Sequence, residues 1–234
     1  MPTPYHRYAI YWTPELCSAL AAFGAAWFGD GDCQRHTFGL PDGLADRAIR
    51  APARYRLHAT LKAPFRPAEG VTASDIGHAI ASFCAKRRAM HGPRLKITRF
   101  SRYLSLVLGG PSADVDWLAA ECVTAFDCFR SPLNDADRAT RGPLCGKEAA
   151  LFEAFGYPYV LSAFEFHISL AGPLEPHELD AVENALAPAL ADVLVEPLTI
   201  ESLTLLGDPG GGAQFHILSR HNFMRRRPAQ AANT

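Results

Sequence analysis

"HATLKAPFRP" spans residues 58–67 and "HISLAGPLEP" spans residues 167–176. Both stretches begin with histidine, carry a hydroxyl residue two positions later, and share a leucine and two prolines at matching places. The second copy begins close to half a chain length after the first, so the spacing predicts duplication of a whole lobe and not a short-period repeat array.

The predicted elements after each copy come in the same order. The first copy is followed by a helix that begins near Thr72 and by two alternating segments over 95–108, which predict paired strands. The second copy is followed by a helix from about His177, which Pro188 kinks or ends, and by a predicted hairpin over 198–219. The repeated order supports the duplication.

The segments before each copy are less alike. Residues 5–11 alternate like a strand, and a helix is predicted from about 13 to 28. Residues 29–53 have no clear period and predict a long loop with at most a helical turn. Ser112 opens a well-marked amphipathic helix, and a shorter one is predicted over 148–155.

Composition sets the class of protein. Apolar residues make up 48% of the 234 residues, enough to bury a core in one large domain or in two small lobes. The longest apolar-rich stretch, residues 16–28, is too short to span a bilayer, and the N-terminus lacks a signal-peptide pattern. Six cysteines without CxxC pairs favour a reducing compartment. We therefore expect a cytoplasmic protein without a membrane partner.

The formal net charge of −1 hides an asymmetry. Residues 1–110 carry 15 Lys and Arg against 7 Asp and Glu, whereas residues 111–234 carry 8 against 17. The asymmetry indicates a phosphate-bearing ligand on the first half, attraction between the two lobes, or simply solvated faces. The near-neutral total does not favour a long nucleic acid, although the seven basic residues of 86–102 leave a local RNA contact open.

Strand parity assigns the polar residues of both copies to one face. Side chains two apart on a strand point the same way. The first copy then places its polar residues opposite an apolar face, and the second copy does the same. The residues predicted to share the polar faces are Arg56, His58, Thr60 and Lys62 in the first copy, and Glu165, His167 and Ser169 in the second.

Two facing histidines and two hydroxyls suit acid–base chemistry at a phosphoester. One neutral imidazole can take a proton from an attacking hydroxyl while the other, protonated, donates to the leaving oxygen. The hydroxyls of Thr60 and Ser169 can hold a phosphoryl oxygen. This scheme needs no metal and no cofactor, and His58, His167 and His216 show no spaced metal-ligand motif.

The two His-x-(Thr/Ser)-Leu motifs resemble those of the two-histidine (2H) phosphoesterase superfamily. The wider context, "RYAIYWTP" at 7–14, "HATLKAPF" at 58–65 and "GYPYV" before "FEFHISL" at 156–170, is similar to a bacterial branch often encoded among phosphonate-utilisation genes. The likeness covers most of the chain in order. It implies that His58 and His167 are the acid–base pair and that Thr60 and Ser169 bind phosphate.

The resemblance also implies the fold. We expect an α+β protein of pseudo-twofold duplicated lobes, each an antiparallel sheet with outer helices, around a central cleft. A single domain would cover residues 1–234, with lobe one at about 1–110, lobe two at about 111–222 and a frayed basic tail at 223–234.

Further residues are candidates for substrate contact. Arg56 and Lys62 are either phosphate contacts or solvated bases. Tyr8, Tyr157 and Tyr159 either stack on a base or sugar or pack in the core. Two residues depart from the pattern that the resemblance implies, because Phe155 stands where tryptophan is expected and Glu165 where a basic residue is expected. An acid at 165 could orient His167 and raise its pKa, or weaken anion binding.

We therefore predict a metal-independent phosphodiesterase. It would act on a small phosphoester substrate, a cyclic or 2′-linked phosphodiester of a nucleotide or sugar phosphate, in phosphonate metabolism, with the ligase direction left open. The alternative is a binding module that holds RNA ends or a phosphorylated metabolite in the same cleft without chemistry. A strongly salt-dependent RNA affinity without hydrolysis would favour the module.

Overall fold

Both histidine motifs lie at edge strands of antiparallel sheets. The computed structural model describes residues 5–29 and 34–224, where the chain forms two four-stranded antiparallel sheets with the strand orders β2-β1-β7-β8 and β5-β4-β3-β6. The strands are β1 (Arg7–Trp12), β2 (Ala59–Phe65), β3 (Met90–Phe100), β4 (Tyr103–Leu108), β5 (His167–Ala171), β6 (Pro197–Ile200), β7 (Ser202–Asp208) and β8 (His216–Asn222). The α+β class and the antiparallel sheets are as predicted.

Helices surround the two sheets. They are α1 (Ala19–Phe28), α2 (Asp42–Ile49), α3 (Ala73–Cys84), α4 (Ala113–Ala125), α5 (Asp135–Ala139), α6 (Gly146–Phe155) and α7 (Pro176–Ala191). The helix after each motif returns to its own sheet, because α3 packs on β7 and β8 whereas α7 packs on β4. In the part of the chain that the structure describes, no helix combines the length and the apolar character needed to cross a membrane.

The sheets do not follow the two halves of the sequence. The first sheet combines β1 and β2 with β7 and β8 from the end of the chain, and the second combines β3 and β4 with β5 and β6. Each sheet therefore contains strands from both sides of the expected boundary near residue 110. The predicted lobes at about 1–110 and 111–222 do not correspond to the two sheets. A strand's own pattern does not say which sheet edge it joins, since every edge offers the same backbone donors and acceptors.

The predicted hairpin over 198–219 is correct in part. β7 and β8 pair as a hairpin, but β6 pairs with β3 in the other sheet. The chain therefore changes sheets between Ile200 and Ser202. The first half makes a corresponding change after α3, where β3 and β4 leave the sheet of β1 and β2.

Local capping signals were more reliable than sheet assignment. The Thr72 and Ser112 hydroxyls accept hydrogen bonds from the backbone N–H groups of Asp75 and Val115 and begin α3 and α4 as predicted. The first helix begins later than expected, because Ser18 caps it. Residues 42–49 of the expected loop form α2. The last helix passes through Pro188, where burial of its apolar face outweighs one lost backbone bond.

The start of the predicted frayed tail is ordered by packing. Phe223 is buried, and the backbone N–H of Met224 donates to the carbonyl of Arg87 over 2.7 Å. Residues 225–234, which complete the predicted tail, lie outside the described residues.

One core underlies both motif strands. Apolar side chains from both copies of the motif belong to the same cluster of buried residues, which the helices and the inner strands complete. The motif residues in this core are Leu57, Ala59 and Leu61 in the first copy, and Phe166, Ile168 and Leu170 in the second. The alternate residues of both strands consequently face away from the core.

The capping box of α3 should stabilise the fold measurably. Thr72 and Asp75 satisfy each other's backbone N–H groups, at 3.3 and 2.9 Å. We expect Thr72→Ala to lower the free energy of unfolding by about 1 kcal/mol, measured by urea denaturation. Ser74→Ala, at an exposed position of the same helix, is the control and should change it by less than about 0.5 kcal/mol. Equal losses from both variants would contradict the cap.

Candidate active site

The two histidines are held by the same backbone contact. Nδ1 of His58 lies 3.0 Å from the carbonyl oxygen of Arg56, and Nδ1 of His167 lies 2.9 Å from the carbonyl oxygen of Glu165. A carbonyl oxygen can only accept, so Nδ1 donates in both rings. The Nε2 atom of each ring, at its opposite corner, is left to exchange protons with a substrate.

The two motif strands bring these rings to one place. β2 and β5 are edge strands that contact each other across the gap between the sheets. His58 is half-buried and His167 is exposed. The charge of His167 is near enough to lower the pKa of His58. The structure therefore brings together the two histidines that the sequence pairs.

Aromatic rings enclose His58 but not His167. The Tyr11 ring stacks on the His58 imidazole with 4.3 Å between centroids, and the Tyr55 ring lies 5.4 Å from it. Phe215 completes this aromatic floor, 4.8 Å from Tyr55. His167 has a single ring contact among the described residues, edge-on to Phe100 at 6.4 Å. The two sides of the cleft therefore differ in their access to water.

Burial decides the protonation state of His58. Desolvation lowers its pKa to about 4, with a smaller contribution in the same direction from His167, although the hydrogen bond to the Arg56 carbonyl opposes the shift. The ring is therefore neutral near pH 7, with Nδ1 protonated and Nε2 able to accept a proton. This is the state that a general base requires.

The two motif hydroxyls lie on the cleft side of their strands. Thr60 and Ser169 are both partly buried. Thr60 pairs with Tyr11 across the β1–β2 ladder, and its side chain slightly opposes the rise in the pKa of Tyr11. Burial holds the pKa of Tyr11 well above its usual value, so the phenol stays protonated. Thr60 therefore neighbours the same tyrosine that covers His58.

Arg56 and Glu165 were predicted to lie on the strand face of their histidines, but both precede their strands. β2 begins at Ala59, and Arg56 has a positive φ of 59°, so strand parity does not extend to it. Its guanidinium reaches the side-chain amide oxygen of Gln214, in the loop between β7 and β8. Glu165 is exposed and likewise precedes its strand. In the described structure it contacts His167 through its backbone carbonyl.

Lys62 is buried instead of solvated. Its side chain is 3% exposed, and its ammonium donates to the Asp127 carboxylate at 2.7 Å and to the Val123 carbonyl at 3.1 Å. Desolvation lowers its pKa, against the attraction of Asp127. The solvated alternative is therefore wrong, because the amine lies under α4. The register between β1 and β2 shifts after Thr60, so Lys62 pairs with the core residue Ile10, and the prediction that it shares the face of Thr60 needs correction.

The three candidate tyrosines have different surroundings. Tyr8 is fully buried in the main core, which corrects the hypothesis that it stacks on a substrate, since β1 turns it away from the cleft. Tyr157 is partly buried, and burial raises its pKa. Tyr159 is 47% exposed and meets Tyr157 edge-on at 5.6 Å. Of the three, Tyr157 is adjacent to the residues around His58, because its phenol acts on Tyr11 electrostatically.

Metal-ligating side chains do not cluster among the residues that the structure describes. Within residues 5–29 and 34–224, no three or more His, Cys, Asp or Glu side chains are grouped to hold a metal ion. His216 contacts Tyr5, 3.3 Å from its hydroxyl, at the β8 end of the first sheet.

Sequence reasoning missed Tyr11 and Tyr55. Tyr11 lies in "YAIYW", an apolar run whose two faces look alike in sequence. The signal that could have found it is parity, because Arg7, Ala9 and Tyr11 alternate with the core residues Tyr8, Ile10 and Trp12. Tyr55 precedes the motif in an irregular segment, where no periodicity indicates its direction.

A family model and two curated relatives match most of this chain. A family model described as "Protein of unknown function (DUF1045)" matches residues 60–216. A protein named "Ribose 1,5-bisphosphate phosphokinase PhnN" from Janthinobacterium sp. (strain Marseille) is 33% identical over 224 residues, or 89% of this chain and 49% of that protein. A protein of the same name from Laribacter hongkongensis (strain HLHK9) is 31% identical over 215 residues, 90% and 50% of the two chains. The chain thus spans about half the length of the curated relatives it matches.

Solved structures are similar to this chain over most of its length, at low sequence identity. One, described as "Crystal structure of phosphoesterase", is 16% identical with a TM-score of 0.45 and covers 94% of this chain and 99% of its own. Another, E. coli LigT complexed with 3'-AMP, is 13% identical with a TM-score of 0.44 and the same coverage of both chains. At these values the likeness transfers no residue roles.

The low pKa of His58 can be measured directly. In a ring-carbon NMR titration, the signal that disappears in His58→Asn should titrate near pH 4, because the aromatic floor excludes water from the imidazole. Tyr55→Ala should raise that pKa towards its ordinary value by opening one side of the ring to water. A His58 signal that titrates near 6.5 in the unaltered protein would contradict the assignment of a neutral base.

Proposed function

The chain belongs to the DUF1045 family, and we propose that it is a phosphoesterase that hydrolyses a cyclic or 2′-linked phosphodiester of a nucleotide or sugar phosphate. The observation that carries the proposal is the matched pair of histidines. Each donates from Nδ1 to a carbonyl two residues before it and keeps Nε2 for the shared cleft. This arrangement supplies a base and an acid without a metal.

His58 is the general base in this proposal. Its burial keeps the imidazole neutral near pH 7, so Nε2 can accept a proton from the attacking water. As the new oxygen–phosphorus bond forms, the imidazolium develops. The Arg56 carbonyl, bonded to Nδ1–H, stabilises that positive charge.

His167 is the general acid. It is exposed at the other side of the cleft. Its Nε2–H donates to the leaving oxygen as the old phosphorus–oxygen bond breaks, so the leaving group departs as an alcohol. Proton exchange with solvent then restores both rings, and the sum of the reaction is the addition of one water to the phosphodiester.

The hydroxyls of Thr60 and Ser169 stabilise the phosphoryl group. Both lie two residues beyond a histidine on the cleft side, where their O–H groups can donate to non-bridging oxygens as negative charge grows there. Tyr11 is the cross-strand neighbour of Thr60 and also stacks on His58, so the Thr60 hydroxyl lies beside the catalytic ring before the substrate arrives.

The names of the relatives support a sugar phosphate as the substrate. Both are described as acting on a ribose 1,5-bisphosphate, although this chain covers about half of each. A phosphoesterase of a ribose phosphate and a kinase of one recognise the same kind of molecule. We therefore place the proposed activity in sugar-phosphate chemistry of phosphonate metabolism.

Loss of either histidine should abolish hydrolysis. We expect His58→Ala and His167→Ala each to lower kcat on adenosine 2′,3′-cyclic phosphate by roughly 10²–10⁴-fold, because each removes one proton-transfer group. His216→Ala, which removes an exposed histidine bonded to Tyr5, is the control and should retain the original rate. Turnover that survives in the double variant would refute the mechanism, and cyclic phosphate binding without any turnover in the unaltered protein would favour a binding module.

The pH dependence follows from the sign of the His58 shift. Because the base must be neutral, kcat/KM should stay high as the pH falls through 6.5 and decline only near pH 4. The Tyr55→Ala variant should show its acidic limb at a higher pH, since its His58 is better solvated. A limb near 6.5 in the unaltered enzyme, unmoved in the variant, would assign the base to another group.

A further inference from the structure

A strongly basic pocket adjoins the proposed active site, and the proposed mechanism does not use it. The pocket, called the arginine pocket below, is formed by β1, β2 and the segment from residue 130 to 160. Tyr157 is one of the aromatic side chains in its wall. Its cationic side chains are Arg7, Lys62, Arg66, Arg130 and Arg141.

Carboxylates hold most of these cations in place but do not neutralise them all. Asp208 is shared by Arg7 at 2.6 Å and by Arg54 at 3.0 Å. Asp127 is shared in the same way by two of the pocket's cations, Lys62 at 2.7 Å and Arg130 at 3.0 Å.

A third carboxylate, Asp137, pairs with Arg66 at 2.7 Å. Three carboxylates thus serve a larger number of cations, and the pocket keeps a net positive charge. Fixed guanidinium groups of this kind are suited to binding phosphate.

Arg141 is the cation available to a ligand. It is exposed, and its guanidinium lies 4.8 Å from the centroid of the Tyr157 ring. Among the residues that the structure describes, no carboxylate forms an ion pair with it. Stacking on tyrosine orients the flat guanidinium while leaving its N–H groups at the pocket.

The arginine pocket lies beside the histidine cleft. Lys62, in its wall, follows Thr60 on β2, and the register with β1 shifts between the two residues. Arg7 and Tyr157 also line it, and both act electrostatically on Tyr11, the tyrosine stacked on His58. The pocket is therefore close to the tyrosine that covers the His58 imidazole.

We propose that the arginine pocket binds a second phosphate of the substrate, so that the preferred substrate is a cyclic phosphodiester of a sugar that also carries a terminal phosphomonoester. This inference rests on the proposed function for the identity of the scissile group. What it adds is a second anionic group on the substrate, which Arg141 recognises. The alternative is that the cations only hold the segment from 130 to 141 against the first sheet.

The test compares two substrates that differ by one phosphate. Adenosine 2′,3′-cyclic phosphate and its 5′-phosphorylated form are hydrolysed at fixed ionic strength, and kcat/KM is measured for each. We expect the unaltered enzyme to prefer the 5′-phosphorylated form by about 10–100-fold, the value of one or two charge-assisted hydrogen bonds. Equal values for the two substrates would overturn the proposal.

Substitution of Arg141 tests the recognising residue. Arg141→Gln should remove most of that preference by lowering kcat/KM for the 5′-phosphorylated form only, and Arg141→Lys should restore part of it because it keeps the charge. Arg99→Gln, which removes a surface arginine paired with Asp180 of α7, is the control and should change neither value. Equal losses on both substrates in Arg141→Gln would assign Arg141 a structural role and overturn the proposal.

A binding measurement separates this proposal from the proposed activity. If neither nucleotide is hydrolysed by the unaltered protein, the activity proposed above fails. Binding of ribose 5-phosphate, followed by NMR, then tests whether the arginine pocket binds a phosphate. Weaker binding to Arg141→Gln than to the unaltered protein, with unphosphorylated ribose binding to neither, supports the second phosphate site. Absence of binding to the unaltered protein overturns it.

Discussion

The packing of two edge strands on one core is the constraint from which the site follows. Leu61 on β2 and Ile168 on β5 are buried in the same apolar cluster. The motif residues that alternate with these buried ones, among them the histidines, therefore point into the cleft. A slip of one residue in either strand would exchange the faces and place a histidine in the core. The apolar residues of the motif therefore determine where the chemistry occurs, although they take no part in it.

A second consequence of this geometry concerns the residues that precede the histidines. The backbone carbonyls of Arg56 and Glu165 orient the two rings. A carbonyl is present whatever the side chain, which is why a base and an acid can occupy matching positions without changing the orientation of the imidazole. The chemical difference between Arg56 and Glu165 therefore acts on the surroundings of each ring and leaves its tautomer unchanged.

Local signals in the sequence predicted a large part of this structure. The histidines, their hydroxyl partners and the caps of α3 and α4 depend on residues close together in the chain, and the structure has each where parity or capping places it. The assignment of strands to sheets could not be predicted, because β3, β4, β7 and β8 form similar hairpins that differ only in the edge they join. Arg141 was missed because it lies in an irregular segment, where no periodicity indicates which residue its side chain meets.

The inequality of the two histidines results from the aromatic floor and not from the motifs. Tyr11 and Tyr55 shield His58 from water, which favours the neutral ring, whereas His167 is exposed on the other side of the cleft. Excluding water from a cleft would by itself oppose the entry of an anionic substrate. The cations of the arginine pocket offset that cost, and their paired carboxylates keep them in place without neutralising the pocket. A dry base and a basic pocket are therefore complementary parts of one site for phosphorylated molecules.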